Sequence, residues 1–305
     1  MKLLRGRGLF RAVSGIVWNT LNLCPSKYPA GRRRKEQSMT AGVVVIRGGG
    51  DLGTGVAHRL FRSGFDVMVL EIEHPLVIRR KVAFAQALYD GHTVVEGVKA
   101  VKAHTKEEVH VLWKERKIPV MVDPDCSLVR EITPDVLIDA TLAKRNTGMH
   151  KGLAPLTIAL GPGFRAGEDV DIVIETNRGD NLGKIILEGC AEPNTGIPAA
   201  VRGYGEERVL RAPCDGMIHA VREIGDEVKK GETVCYVDKV AVSTSIDGVI
   251  RGMVMDHMRV TKGLKIGDID PRGIQDYCYT ISDKARAVGE AVLKAILHIK
   301  NGGKP

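Results

Sequence analysis

The sequence predicts an α/β protein: a doubly wound parallel sheet followed by a smaller, β-rich, barrel-like part. Three observations predict it. Short apolar, β-branched runs alternate with helical patterns through the first half of the chain. A glycine-rich turn joins the first of these runs to the first helix. After about Lys151 the texture changes to strands and turns, and one segment repeats itself.

Val43–Ile46 is a buried-strand run, and "GGGDLGTG" follows it after Arg47. Leu52, Val56 and Leu60, with Phe61, fall at helical spacing and predict a helix that stops at Ser63-Gly64. Val67–Leu70 is a second buried strand closing on Glu71, and an amphipathic stretch spans Arg80–Tyr89 up to Asp90-Gly91. Thr105 with Glu108 forms a capping box before "VHVLWKERK". Ile118–Val122 and Val136–Ile138 are further strands, ending at "DPDCS" and "DATLAKRN". "DIVIETNRGDNLGKIILEG" reads as a hairpin with a long polar loop. From Asp283, Val288, Val292, Ile296 and Ile299 share one helical face, and "NGG" ends that helix.

Residues 212–234 align without gaps on 244–266 at an offset of 32, matching Asp215 with Asp247, Gly216 with Gly248, Val228 with Val260 and Gly231 with Gly263. Two copies this short cannot each bury a face, so they are expected to pair around a pseudo-dyad. The repeat resembles a biotinyl/lipoyl carrier module, with Lys239 at the junction. Lys239 lies nine residues before Gly248, closer than in a carrier, and no M-K-M is present. A packing or docking role is therefore preferred to modification of Lys239. The expected boundaries are an extension at 1–38, a nucleotide-binding domain at 39–150 and a β-rich connector at 151–207. The lipoyl-like domain follows at 208–272, and a terminal helix and tail at 273–305.

The formal charge of +8 suggests an anionic partner, but its distribution argues otherwise. Nine of the 45 basic residues and one of the 37 acidic ones lie in 1–38, leaving 36 of each sign in 39–305. The body is neutral, so no nucleic-acid partner is expected. A disordered or wrongly included extension, with a start at Met39, is preferred to a targeting peptide. At 44% hydrophobic and 27% charged the body is globular, and no run of about 18 apolar residues exists to span a membrane. The six scattered cysteines lack a CxxC and a nearby histidine, which argues for reduced thiols in the cytoplasm and against zinc. No histidines stand at metal-type spacing.

Gly48, Gly49, Gly50, Asp51, Leu52 and Gly53 satisfy GxGxxG after a strand and before a helix, the Rossmann-like context for a pyrophosphate. Glu71, 18 residues after Gly53, is placed to accept ribose hydroxyls. An anionic Glu71 disfavours a 2′-phosphate; Arg79 and Arg80 could modify this, but a solvated helix face is the preferred reading of them. Asp139, Lys144, Arg145 and Asn146 lie just past a sheet strand, and two adjacent cations suit a phosphate or carboxylate; an ordinary charged loop is the alternative. Glu175, Asn177 and Arg178 make a polar loop able to hold a ligand, though its residues are also good turn formers. Cys126 is a conceivable nucleophile, but no histidine or cation pairs with it in sequence.

Together "IRGGGDLGTGVAHRLFRSGFDVMVLEIEHP", "AFAQALYDG", "DATLAKRN", "ALGPGF", "ETNRGDNLG", "PNTGIP", "LRAPCDG" and "GLKIGDIDPRG" resemble the selenium-dependent molybdenum hydroxylase system proteins, the YqeB-type family of selenium-dependent molybdenum cofactor biosynthesis. The resemblance runs from about Val43 to Ile299. The first domain also resembles the nucleotide-binding half of xanthine dehydrogenase accessory proteins. The resemblance implies a cytosolic accessory factor that matures such hydroxylases, with a molybdenum hydroxylase client or its cofactor as partner. The expected cofactor is a dinucleotide, either NAD or a nucleotide-containing molybdenum cofactor. An NAD-dependent oxidoreductase and a non-enzymatic docking scaffold are the alternatives.

Overall fold

A computed structural model describes residues 41–304. The basic extension at 1–38 and the start expected at Met39 lie outside the described residues. In chain order, β1 (Val43–Arg47), α1 (Asp51–Arg62) and β2 (Asp66–Glu71) come first. Then follow α2 (Ala87–Asp90), β3 (His92–Val95), β4 (Val98–Lys102), α3 (Lys106–Lys114) and β5 (Ile118–Val122). Next are α4 (Val129–Ile132), β6 (Val136–Asp139), β7 (Leu156–Leu160), β8 (Arg165–Ala166), β9 (Ile172–Ile174), β10 (Ile185–Ile186) and β11 (Gly189–Cys190).

The predicted strands form, but the predicted architecture is corrected. Nine strands make one mixed sheet, ordered β10-β9-β7-β6-β1-β2-β5-β4-β3. Its seven inner strands are parallel, while β3 and β10 pair antiparallel at the two edges. It is therefore not a doubly wound, wholly parallel sheet. The reason lies in the connections. Glu96 and Gly97, both at positive φ, turn β3 straight back into β4. No helix links β6 to β7, and the irregular segment between them supplies Met149, Leu153 and Ala154 to the core instead. The segment expected as a connector at 151–207 contributes β7, β9 and β10 to this same sheet.

Both faces of the sheet are buried, which explains the unbroken apolar runs. Val44 and Ile46 of β1 point to the face covered by α1, and Val45 points to the face covered by α3, in keeping with the period of two. Trp113 of α3 donates its indole N–H to the Val67 carbonyl at 2.9 Å. The Thr105 hydroxyl caps α3 through the Glu108 N–H, but the Glu108 carboxylate turns to the N–H of His104, one residue before the cap. Arg80–Tyr89 is not a regular amphipathic helix. It forms two 3₁₀ turns and α2, because Phe84 N–H is taken by the Thr54 hydroxyl and Ala85 N–H by the Gly49 carbonyl.

The rest comprises β12 (Val209–Arg211), β13 (Gly216–Ala220), β14 (Glu227–Val228), β15 (Thr233–Val237) and β16 (Val240–Ser243). They are followed by β17 (Gly248–Met253), β18 (Arg259–Val260), β19 (Lys265–Asp270), α5 (Asp276–Tyr279) and α6 (Asp283–Lys300). These strands form two four-stranded antiparallel sheets, β12-β19-β17-β14 and β16-β15-β13-β18. They enclose a second core that takes in Cys278 of α5 and packs against Ile78 from the first part. The carrier-like barrel-sandwich expected at 208–272 is thus corrected as well, because its interior is completed by residues from outside that range.

The two repeat copies do pair around a pseudo-dyad. Ile250 N–H donates to the Asp226 carbonyl as Ile218 N–H donates to Met258, each at 2.9 to 3.0 Å. Gly225 N–H donates to Ile250 as His257 N–H donates to Ile218. Every partner in one bond is 32 residues from its counterpart in the other.

Helix α6 returns to lie on α1. Its Val288, Val292 and Ile296 are buried as the sequence face predicts, and Ser282 caps it by accepting from Ala285 N–H at 3.1 Å. Gly55 and Gly289 let the backbones meet: a Cβ on either would fall 2.7 to 2.8 Å from the other helix. This close approach carries the first turn of α6 to the sheet edge where the candidate site lies.

Candidate functional site

In a parallel sheet the carboxyl ends of the strands share one edge, and the loops after them converge there. Here those loops are Gly48–Gly53 after β1, Glu71 on β2, Asp139–Asn146 after β6 and Glu175–Arg178 after β9.

Gly48–Gly53 makes the turn into α1. Gly48 N–H donates to Leu70 and Gly49 N–H donates to the Glu71 carboxylate at 2.8 Å. A Cβ on Gly53 would stand 2.0 Å from the Gly48 carbonyl, and one on Gly49 would stand 2.9 Å from Val69 and Ala85. Gly50 is the N-cap of α1. No side chain caps the helix, and nothing lies within 4 Å of where a Cβ would sit. The first N–H groups of the helix have no hydrogen-bond partner among the described residues, the arrangement that receives an anion. Leu52 is buried beneath the turn.

Asp51 is turned away from this opening. Its carboxylate pairs with Arg79 at 2.7 Å and lies 3.5 Å from the Ser282 hydroxyl. Arg79 is buried and also donates to the Tyr277 and Thr280 carbonyls, while Arg80 donates to Met253. The two arginines are not a solvated face; they tie the sheet to the second part. Glu71 accepts from Gly49 with one oxygen and from Ile72 N–H with the other, at 2.8 and 2.9 Å. Each oxygen keeps a lone pair for a hydroxyl.

The loop after β6 separates into two kinds of residue. Asp139 is fully buried and accepts from the Thr141 N–H and hydroxyl and from Arg47. Asn146 closes its own turn, accepting from Gly148 and Met149 N–H and donating to the Met149 carbonyl. Both are structural. Lys144 and Arg145 are exposed, and no described residue pairs with either. The loop backbone at Ala140 and Thr141 abuts Gly48.

The loop after β9 is more committed than its composition suggests. Glu175 is buried and accepts from three backbone N–H groups, those of Thr176, Asn177 and Glu192, at 2.6 to 2.7 Å. Asn177 and Asn181 both donate to the Glu192 carboxylate and hold it below the usual carboxylate range. Arg178 makes a bidentate pair with Asp283 at 2.7 and 2.9 Å. Of these residues Glu175, Thr176, Asn177 and Glu192 reach a cavity, and Arg178 and Asn181 do not line it.

That cavity, about 180 Å³, is lined by Leu142, Pro162, Glu175, Thr176, Asn177, Glu192 and Lys284, among others. Lys284 escaped sequence reading because it sits in the amphipathic pattern of α6, where a lysine in the first turn carries no signal. Its ammonium has no hydrogen-bond or ion-pair partner among the described residues. Burial lowers its pKa, and Arg178 lowers it further against the opposing pull of Asp51, Glu175 and Asp283. Lys284 is a basic group on this edge that sequence spacing does not reveal.

Two other candidates resolve simply. Burial pushes the Cys126 thiol up to about 11, against the smaller opposing effect of Arg47, so it is not a neutral-pH nucleophile. Lys239 is exposed at the β15–β16 turn beside Asp238, whose carboxylate accepts from Met217 N–H at 2.9 Å. Among the described residues, one group has metal-type proximity: His219, Asp256 and His257, outside this edge. No helix of the described residues is long and apolar enough to cross a membrane.

No family model matches the chain. Two solved structures align over much of it: an aspartoacylase family protein from Mesorhizobium loti and a succinylglutamate desuccinylase/aspartoacylase from Rhodobacter sphaeroides. The first has 11% identity, a TM-score of 0.22 and coverage of 69% of this chain and 58% of its own. The second has 13% identity, a TM-score of 0.21 and coverage of 75% and 85%. Scores this low carry neither fold nor activity across. In sequence, the chain is 48% identical over 261 residues to the "Uncharacterized protein YqeB" of Escherichia coli (strain K12), a match covering 86% of this chain and 48% of that protein. The chain is thus similar to YqeB and spans about half its length.

Proposed function

We propose that the chain binds a phosphate-bearing nucleotide, or a nucleotide-containing cofactor, at the open N-terminus of α1. We further propose that it does so as an accessory protein in the maturation of selenium-dependent molybdenum hydroxylases. The observation that carries the binding reading is the uncapped helix start, with free space in front of Gly50 and Glu71 fixed behind Gly49. The maturation role rests on the sequence resemblance.

The residues fit a dinucleotide. A pyrophosphate would take the N–H groups from Gly50 to Gly53, and Glu71 would accept from ribose hydroxyls through its remaining lone pairs. The carboxylate of Glu71 disfavours a 2′-phosphate, and Arg79, engaged with Asp51, does not offset it. Lys144 and Arg145 supply unpaired cations on the loop that abuts Gly48. Lys284, in the neighbouring cavity, would orient an anionic or carbonyl oxygen of the second ligand. When bound, a nicotinamide would supply hydride chemistry, and a molybdenum cofactor would be cargo.

The first test is calorimetric titration of the full chain with NAD⁺, NADH and a cytidine or guanosine dinucleotide, with Gly50→Asp alongside. Binding by the native chain that is lost in Gly50→Asp supports the reading; absence of binding to all three opposes it. A second reading, NAD-dependent oxidation of a small substrate, is favoured by Lys284, an ammonium without a partner among the described residues that lines this cavity and whose pKa burial lowers, so that it could exchange a proton with a bound substrate. NADH turnover with small carbonyl substrates, abolished in Lys284→Met, would select it.

A further inference from the structure

We propose that His219, Asp256 and His257 form a binding site for a divalent transition metal, zinc being the simplest candidate, on the outer face of the repeat domain. The site is independent of the glycine turn and of the nucleotide reading.

The three side chains come from two repeat copies. His219 lies on β13, and Asp256 and His257 lie in the turn between β17 and β18. One donor atom from each falls within 4.8 Å of the others. The imidazole rings stand edge to face with centroids 5.4 Å apart, and the His257 imidazole lies 3.5 Å from the Asp256 carboxylate. Metal–ligand bonds of about 2.0 to 2.2 Å require donor atoms about 3.3 Å apart, a contraction that rotation of exposed side chains supplies. Two imidazoles and one carboxylate are a donor set that zinc accepts, with a coordination position left open.

The pseudo-dyad shows that this grouping is not a by-product of the repeat. At an offset of 32, His219 corresponds to Arg251, Asp256 to Ile224 and His257 to Gly225. On the inner side, Ile224 is buried, Gly225 stands against the Tyr279 hydroxyl, and Arg251 reaches toward Asp270. On the outer side all three positions carry metal-ligating groups, and all are exposed.

The backbone is the more telling departure. Gly225 has φ +105°, and its counterpart His257 has φ +59°, in the left-handed region that glycine occupies without strain. Asp256 holds the turn by accepting from both Ala220 and His257 N–H at 2.9 Å. The turn thus keeps a glycine conformation while presenting an imidazole beside a second one.

The group borders a groove. A cavity of about 360 Å³ is lined by Asp256 and His257 together with His74, Tyr89, Met255 and Arg259. His74 lines the same cavity, and Arg259 gives its rim a positive charge suited to an anionic ligand on the metal.

The test uses the full chain stripped with EDTA and titrated calorimetrically with zinc chloride, with cobalt(II) visible absorption as a second readout. The expected result is one zinc per chain and cobalt bands of nitrogen–oxygen coordination. Two variants assign the site. His257→Gly restores the residue of the other copy and keeps the fold, with an unchanged or higher Tm. His219→Ala removes the second imidazole. Each is expected to weaken zinc binding at least tenfold and to erase the cobalt bands, without altering nucleotide binding. Zinc binding undiminished in both variants, or no zinc binding by the native chain, would overturn the assignment.

Discussion

Glu71 Oε2 accepts the N–H of Gly49 at 2.8 Å, so the carboxylate that ends β2 is a structural brace of the glycine turn after β1. The relationship joins stability to binding at one atom pair. A charge-assisted bond of this type contributes about 1.5–3 kcal/mol. Glu71→Ala is expected to lose about 2 kcal/mol in urea unfolding and to abolish nucleotide binding. Glu71→Gln, which keeps an acceptor oxygen, is expected to recover most of the stability and only part of the affinity.

Gly50 and Gly53 should respond in opposite ways. Gly50 has φ −71° and free space at the Cβ position, so Gly50→Asp is expected to fold normally while its carboxylate occupies the anion position. A Cβ at Gly53 would meet the Gly48 carbonyl at 2.0 Å, which forces the turn apart. Gly53→Ala is expected to cost about 3 kcal/mol or more of stability, read as a fall in the urea midpoint at constant m-value.

Lys284 costs the fold stability that the proposed ligand would recover. Its ammonium is partly buried without a partner, and burial lowers its pKa. The unfolded chain therefore holds this proton more tightly than the folded one, and stability gains from Lys284 as pH rises from the folded pKa toward the ordinary lysine value. Lys284→Met is expected to raise stability by about 1 kcal/mol at pH 7 and to flatten the rise in Tm toward alkaline pH. It should also weaken whatever ligand occupies the adjoining cavity.

The Arg178–Asp283 pair works at the other end of the pH scale. Hydrogen bonds from Arg178 hold the Asp283 carboxyl far below its usual range. A depressed carboxylate pKa stabilises the fold above the unfolded value of about 3.9 and is lost as pH falls through the folded value. Both side chains are well exposed, so solvent screening limits the contribution to about 1 kcal/mol or less. Arg178→Ala is expected to leave stability at pH 7 within that margin and to shift acid unfolding to higher pH.

Thiol reactivity gives an independent check on the loop after β5. With its thiol pushed up to about 11, Cys126 should react slowly with iodoacetamide at pH 7.5, and the exposed Cys190 should react first among the described cysteines. Peptide mapping of partially alkylated protein measures the order.

The sequence alone determined the local elements, because periodicity and turn chemistry are local. The α1 face, the apolar runs of β1, β2, β5 and β6, the 172–186 hairpin and the buried stripe of α6 all stand where their patterns place them. The repeat predicted the pseudo-dyad as well. Asp215 accepts from Lys262 N–H at 2.7 Å as Asp247 accepts from Lys230 N–H at 2.8 Å, each copy capping the turn of the other. Tertiary structure decided how the elements were joined. Apolar runs buried on both faces read alike in inner and outer positions of a sheet, so the sequence could not show that β7, β9 and β10 extend the first sheet. Nor could it show that the edges are antiparallel. Structure also decided which polar residues are free. Asp139, Asn146, Glu175 and Arg178 have the composition of ligand-binding residues but are consumed by the backbone of their own turns and by ion-pair partners such as Arg47 and Asp283 that are far away in sequence. Lys284 and the His219–Asp256–His257 group become available only when α6 docks on α1 and the two repeat copies close, because each depends on contacts between residues that sequence spacing keeps apart.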